Sequence, residues 1–197
     1  KSGNVKFDPV ELYYGLQMQL AVYLNAAVEI QQREHPDKKI VPAAILYYPM
    51  QDPIVDGKEE AEEQILGKIR EELRTNGLVR EEDSIVSMLD TAFEKRSTVI
   101  PVERKKDGGY TSASATGSQE EFGLIAEYVN YKIDEIGSQI RNGCISINPY
   151  EKGDRSACTY CDYRSVCGFD NRIPGYEKRV LPGLSKEEAE EKMADHI

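Results

Sequence analysis

The sequence predicts an α/β chain, and three observations carry that prediction. A helical pattern runs from Asp8 to about Arg33, and a second long helix is opened by a capping box at Ser118. Between them, Val41 to Tyr48 is rich in β-branched and aromatic residues and reads as a buried strand. A cysteine knuckle, Cys158-Thr159-Tyr160-Cys161, stands near the C-terminal end.

Each element has local reasons. In Asp8-Pro9-Val10-Glu11, Asp8 serves as N-cap, Pro9 fills the first helical position and Glu11 takes the capping-box position. His35-Pro36 stops that helix, because the residue before a proline is pushed out of the helical region. Asp52-Pro53 and Asp56-Gly57 are turn signals after the strand. Lys58 to Arg74 reads as a charged helix closed by Asn76-Gly77, and Asp83 as the cap of a third helix reaching about Lys95. Thr98–Arg104 and Tyr110–Ala115 form an expected hairpin around Lys105-Lys106-Asp107-Gly108-Gly109. Ser118-Gln119-Glu120-Glu121 opens the last long helix and Asn142-Gly143 ends it. A short strand, Cys144 to Ile147, leads to the knuckle, and an acidic tail, helical or frayed, follows Pro182. There is no internal repeat and no low-complexity linker.

Length and composition bound the function classes. The chain has 197 residues, 40% hydrophobic and 30% charged, enough for one domain with its own core. The longest apolar stretch, Val41 to Tyr48, is too short to cross a bilayer. Position 1 is Lys rather than Met, so the N-terminus reads as cut, and no export signal is visible. A reducing cytoplasm is therefore expected, with the clustered cysteines as metal ligands rather than disulfides. The formal charge of −10 counts against a surface dedicated to nucleic acid, so any DNA contact is expected to be local. Much of the acid lies in Lys58–Glu82 and Lys186–Asp195, as solvated helix faces. No Gly-Lys-Ser/Thr phosphate loop is present, so the sequence itself supports no ATP site.

Several residues are candidates for chemistry. A Cys-x-x-Cys knuckle turns two thiolates toward one point, and Cys167 can join Cys158 and Cys161. Such sites normally take four ligands, so the chain reads as a piece of something larger. Cys144 could be the fourth thiolate or a small buried hydrophobe. A zinc site completed by His35 or His196 is a further option. Gln19 and Tyr23, four apart, share one helix face; either they form a polar pair, or Tyr23 packs with Leu16, Leu20 and Ala27. Asp52 and Asp56 could mimic a metal pair, although turn chemistry explains both. Arg104-Lys105-Lys106 is either a solubilising turn or a phosphate contact. Lys1 means nothing alone.

The order of these features carries a resemblance. Lys1-Ser2-Gly3, the Gln19-x-x-x-Tyr23 helix, a strand, a late helix, then Ile145–Tyr150 and Ala157–Asp170 resemble the C-terminal nuclease domain of AddB-type subunits of bacterial AddAB helicase–nucleases. The order is similar, less closely, to Cas4- and Dna2-like iron–sulfur nucleases. The resemblance implies a restriction-endonuclease-like PD-(D/E)XK core, present as its C-terminal part: a mixed sheet flanked by helices, with the knuckle (158–167) inside residues 1–170 and a tail at 171–197. It implies that Lys1 orients the attacking water, that Gln19 and Tyr23 shape the active site, and that Cys158, Cys161 and Cys167 hold a [4Fe–4S] cluster with a fourth cysteine outside this chain.

It further implies Mg²⁺ as cofactor, DNA as substrate cut from the 5′-ended strand, and an AddA-like subunit as partner in break repair. The carboxylate two residues before Lys1, and the other metal-holding groups, would lie outside residues 1–197. Hydrolysis by such a fold needs Mg²⁺ on those carboxylates, so the chain alone is expected to be inactive. A non-catalytic, metal-stapled interaction module is the competing expectation.

Overall fold

The computed structural model describes residues 6–56 and 61–197. Lys1, Ser2 and Gly3, and the start of the expected helix at Lys58, lie outside the described residues.

The first expected helix is two helices. α1 (Pro9–Tyr13) is capped by Asp8, whose side chain accepts from the Val10 amide, and α2 spans Gln19–Glu34. Gly15, at φ +79°, breaks them apart, a left-handed conformation that glycine adopts without a Cβ penalty. Glu11 is not a capping residue. Gln17 turns back instead and accepts the Asp8 amide at 3.2 Å, which frees Glu11 to point elsewhere. β1 is Ala44–Tyr47, shorter than the expected strand and with only Ile45 buried. α3 is Glu62–Glu72.

Asn76-Gly77 does not close that helix. It begins a strand the sequence reading omits, β2 (Asn76–Arg80). Gly77 sits at φ +145°, and a Cβ there would lie 1.9 Å from the Ile45 carbonyl oxygen of β1. Close strand approach, not helix termination, is what this glycine provides. α4 is Asp83–Leu89, with Glu82 at the N-cap, so it is shorter than expected and Asp83 lies one residue inside it. The hairpin around 105–109 is reduced to single bridges, Arg104 with Tyr110 and Arg96 with Glu103. β3 is Thr116–Gly117.

α5 (Gln119–Arg141) follows the sequence reading closely: Ser118 and Glu121 cap each other reciprocally, and Gly143 ends the helix at φ +69°. Cys144–Ile147 is not a strand but an exposed irregular segment. The strand comes later, as β4 (Tyr150–Lys152), which pairs with β5 (Arg155–Ser156). α6 (Arg164–Cys167), β6 (Arg179–Val180) and α7 (Lys186–Ala194) complete the described elements.

The larger sheet has the order β1-β2-β3, antiparallel then parallel, with Ala44 opposite Val79 and Val79 opposite Thr116. Successive strand residues face opposite sides. Leu78 and Ile45 therefore join one core with Leu12, Phe122, Tyr128, Val129 and Met193, formed by α1, α2, α5 and α7. Val79 joins a second core with Val86, Ile100, Val102 and Tyr110. The sheet is thus covered on both faces, a layered α/β arrangement. Full burial of each large side chain such as Leu12 or Met193 contributes roughly 1.5–3 kcal/mol. A second, smaller sheet, β5-β4-β6, carries the cysteine segment.

Candidate functional site

Gln19 opens α2 and Tyr23 follows one turn later. The Gln19 side-chain amide donates to the Tyr23 hydroxyl at 3.0 Å, and Tyr23 is 59% exposed. The alternative in which Tyr23 packs with Leu16, Leu20 and Ala27 does not hold: the buried side of α2 is carried by Ala21, with Met18, Leu20, Val22 and Leu24 beside it. The pair stands on the open face, at a helix end whose N-cap residue, Met18, supplies no side-chain hydrogen bond. The positive end of the helix dipole lies at the same end as the pair.

Cys158, Cys161 and Cys167 line one cleft of about 520 Å³ together with Arg164, Arg172 and Lys178. The hairpin β4–β5 delivers Cys158, the turn after it Cys161, and α6 Cys167. All three are free thiols. Among the described residues, no three His, Cys, Asp or Glu side chains are gathered closely enough to hold one metal ion. In donor chemistry thiolates are the usual ligands of an iron–sulfur cluster, and the cleft supplies three; its Arg172 and Lys178 are paired with Asp170 and Glu151. Cys144 is exposed, so it is not the buried hydrophobe considered above. His196 stacks on Tyr131, with ring centroids 5.0 Å apart, and near Tyr13 and Tyr128, so its setting is an aromatic cluster. Asp52 and Asp56 are both exposed in an irregular segment.

The basic run divides. The Arg104 guanidinium donates to Asp83 at 2.8 Å and lies over the rings of Phe93 and Tyr110, at 5.5 and 5.9 Å from their centroids. Tyr110 donates its hydroxyl to the same Asp83 oxygen, and burial together with that carboxylate pushes its phenol up to about 12. Lys105 and Lys106 are exposed at the turn. The charged group that sequence reasoning missed is Glu11: its carboxylate is buried and accepts from Lys152 at 2.6 Å and from Arg155. Burial alone would raise its pKa, but the two cations outweigh burial and hold it below the usual carboxylate range. No local signal marks that pairing, because its partners lie more than a hundred residues downstream.

Residues 1–168 match the PD-(D/E)XK nuclease superfamily. The chain belongs to that superfamily. The mixed sheets flanked by helices agree with the fold class expected from the sequence. This nuclease-family chain is also similar to proteins named as the B subunit of an ATP-dependent helicase/deoxyribonuclease, the likeness that the order of its motifs implied. It is 42% identical over 197 residues to the one from Lachnoclostridium phytofermentans, an overlap of 95% of this chain. Against those of Alkaliphilus metalliredigens and Bacillus mycoides the identity is 32% and 34%, over 98% and 100% of this chain. The chain spans 17% of the length of each of these relatives. Among the described residues, no helix is long and apolar enough to cross a membrane.

Proposed function

We propose that this chain is the C-terminal part of the nuclease domain in the AddB-like component of a heterodimeric helicase–nuclease that processes double-strand DNA breaks in the cytoplasm. The observation that carries the reading is similarity along nearly the whole chain to proteins named as the B subunit of an ATP-dependent helicase/deoxyribonuclease. An AddA-like subunit drives ATP-dependent unwinding, and this domain hydrolyses the 5′-ended strand.

Gln19 and Tyr23 contact the DNA backbone from the N-terminal end of α2, where the helix dipole favours a phosphate. Lys1 orients the attacking water and offsets charge on the scissile phosphate, and Lys105 and Lys106 meet the backbone farther along. Mg²⁺ supplies water activation and charge stabilisation when bound. The carboxylates that would hold it fall outside residues 1–197, so the isolated chain is not expected to cut DNA. Cys158, Cys161 and Cys167 hold a [4Fe–4S] cluster with a fourth cysteine from elsewhere in the protein, stapling the domain.

The test is Mg²⁺-dependent cleavage of DNA by the full-length protein with its partner. Cleavage is expected in the wild type and its loss in Lys1→Ala. Undiminished cleavage in that variant rejects the role of Lys1, and no cleavage by the wild type rejects the nuclease reading.

A further inference from the structure

Glu11 is a buried carboxylate for which the proposed hydrolysis has no use. Its two cationic partners come from the hairpin that leads into the cysteines: Lys152 lies in β4 and Arg155 in β5. Lys152 also stands 5.6 Å from the Tyr14 ring centroid, and the Tyr14 hydroxyl donates to the Pro182 carbonyl at 2.6 Å, just past β6. One short helix and the residue after it therefore grip the smaller sheet on both sides.

That sheet has little else to hold it. No residue of β4, β5 or β6 is buried, and Leu181 is the buried hydrophobic residue next to them. The strands themselves bury little apolar area, so besides Leu181 and the α7 that follows β6, polar contacts carry much of the sheet's placement. Buried ion pairs are best attested as devices of registry rather than of net stability.

We infer that α1 is the mount of the cysteine-bearing sheet and that Glu11 is its charged pin, tying that sheet to the chain that continues through Gly15 into the Gln19–Tyr23 helix. The tie makes one unit of the cleft and the start of α2, so a disturbance in the cysteine segment reaches Gln19 through the last two residues of α1 and the turn at 14–18. The inference stands on the contacts of Glu11 and Tyr14, whatever the cysteines hold and whatever the domain cuts.

Hydrogen–deuterium exchange on the full-length protein tests it. The reporting amides are Ala157, Arg179 and Leu181, which donate to Tyr150, Pro149 and Glu151 within the smaller sheet. In Glu11→Gln these amides are expected to exchange about tenfold faster, while Tyr128 and Val129 in α5 stay within about twofold of wild type. Unchanged exchange in the sheet overturns the inference. So does equal acceleration in α5, which would make Glu11 a general stabiliser. Arg155→Gln, at a largely exposed side chain, keeps the test decisive should Glu11→Gln not fold: about threefold acceleration at the same amides supports the pin, and none refutes it.

Discussion

Glu11 holds a buried charge between Lys152 and Arg155, and whether that charge stabilises the fold depends on pH. Lys152 and Arg155 depress its folded pKa below the ordinary 4.5, so the stabilisation is fully present above that value. It is lost as pH falls through the depressed folded value. Chemical denaturation of wild type and Glu11→Gln should therefore show a stability gap that is constant near pH 6 and shrinks below about pH 4. A gap that stays constant or widens in acid would contradict the assignment. Ser97 shows the same principle at a hydroxyl: buried, it donates to the Asp90 side chain at 2.6 Å and accepts from the amides of Val99 and Ile100. Removing one member of such a set strands the others, at about 1–3 kcal/mol. Neither arrangement was legible in the sequence. An Asp-Pro-x-Glu start has the look of a capping box, and only the fold reveals that Gln17 takes the cap.

At the scale of elements, legibility followed how local the determining contacts are. α5 could be read nearly to the residue because its cap is four consecutive residues and its end is an Asn-Gly pair. β2 was invisible because Asn76-Gly77 is also a helix stop, and the need for glycine there comes from the Ile45 carbonyl on a neighbouring strand. The cysteine segment was legible as three thiols brought to one cleft, but its supporting strand lies a few residues later than the apolar run Cys144–Ile147 implied. The β4–β5 hairpin and α6 together deliver the three thiols, and this element carries its own prediction. Full-length protein prepared without oxygen should be brown and contain iron, and Cys161→Ser should lose both colour and iron. Colourless protein loaded with zinc would replace the cluster by a different metal site.

In the whole molecule, a three-stranded sheet separates two apolar cores, and the side built from α1, α2, α5 and α7 leaves the Gln19–Tyr23 pair facing solvent. Tyr23 is largely exposed, and the Gln19 amide donates to its hydroxyl. The proposed function assigns the pair a contact with DNA, so its removal should leave folding intact. The most direct measurement is single-turnover cleavage of end-labelled duplex by the full-length protein with the proposed AddA-like partner, comparing wild type with Gln19→Ala and Tyr23→Phe while following ATP-driven unwinding in parallel. Cleavage is predicted to fall by about a hundredfold in Gln19→Ala and by about tenfold in Tyr23→Phe, with unwinding unchanged. Cleavage at the wild-type rate in both variants would contradict the placement of the nuclease site on this face.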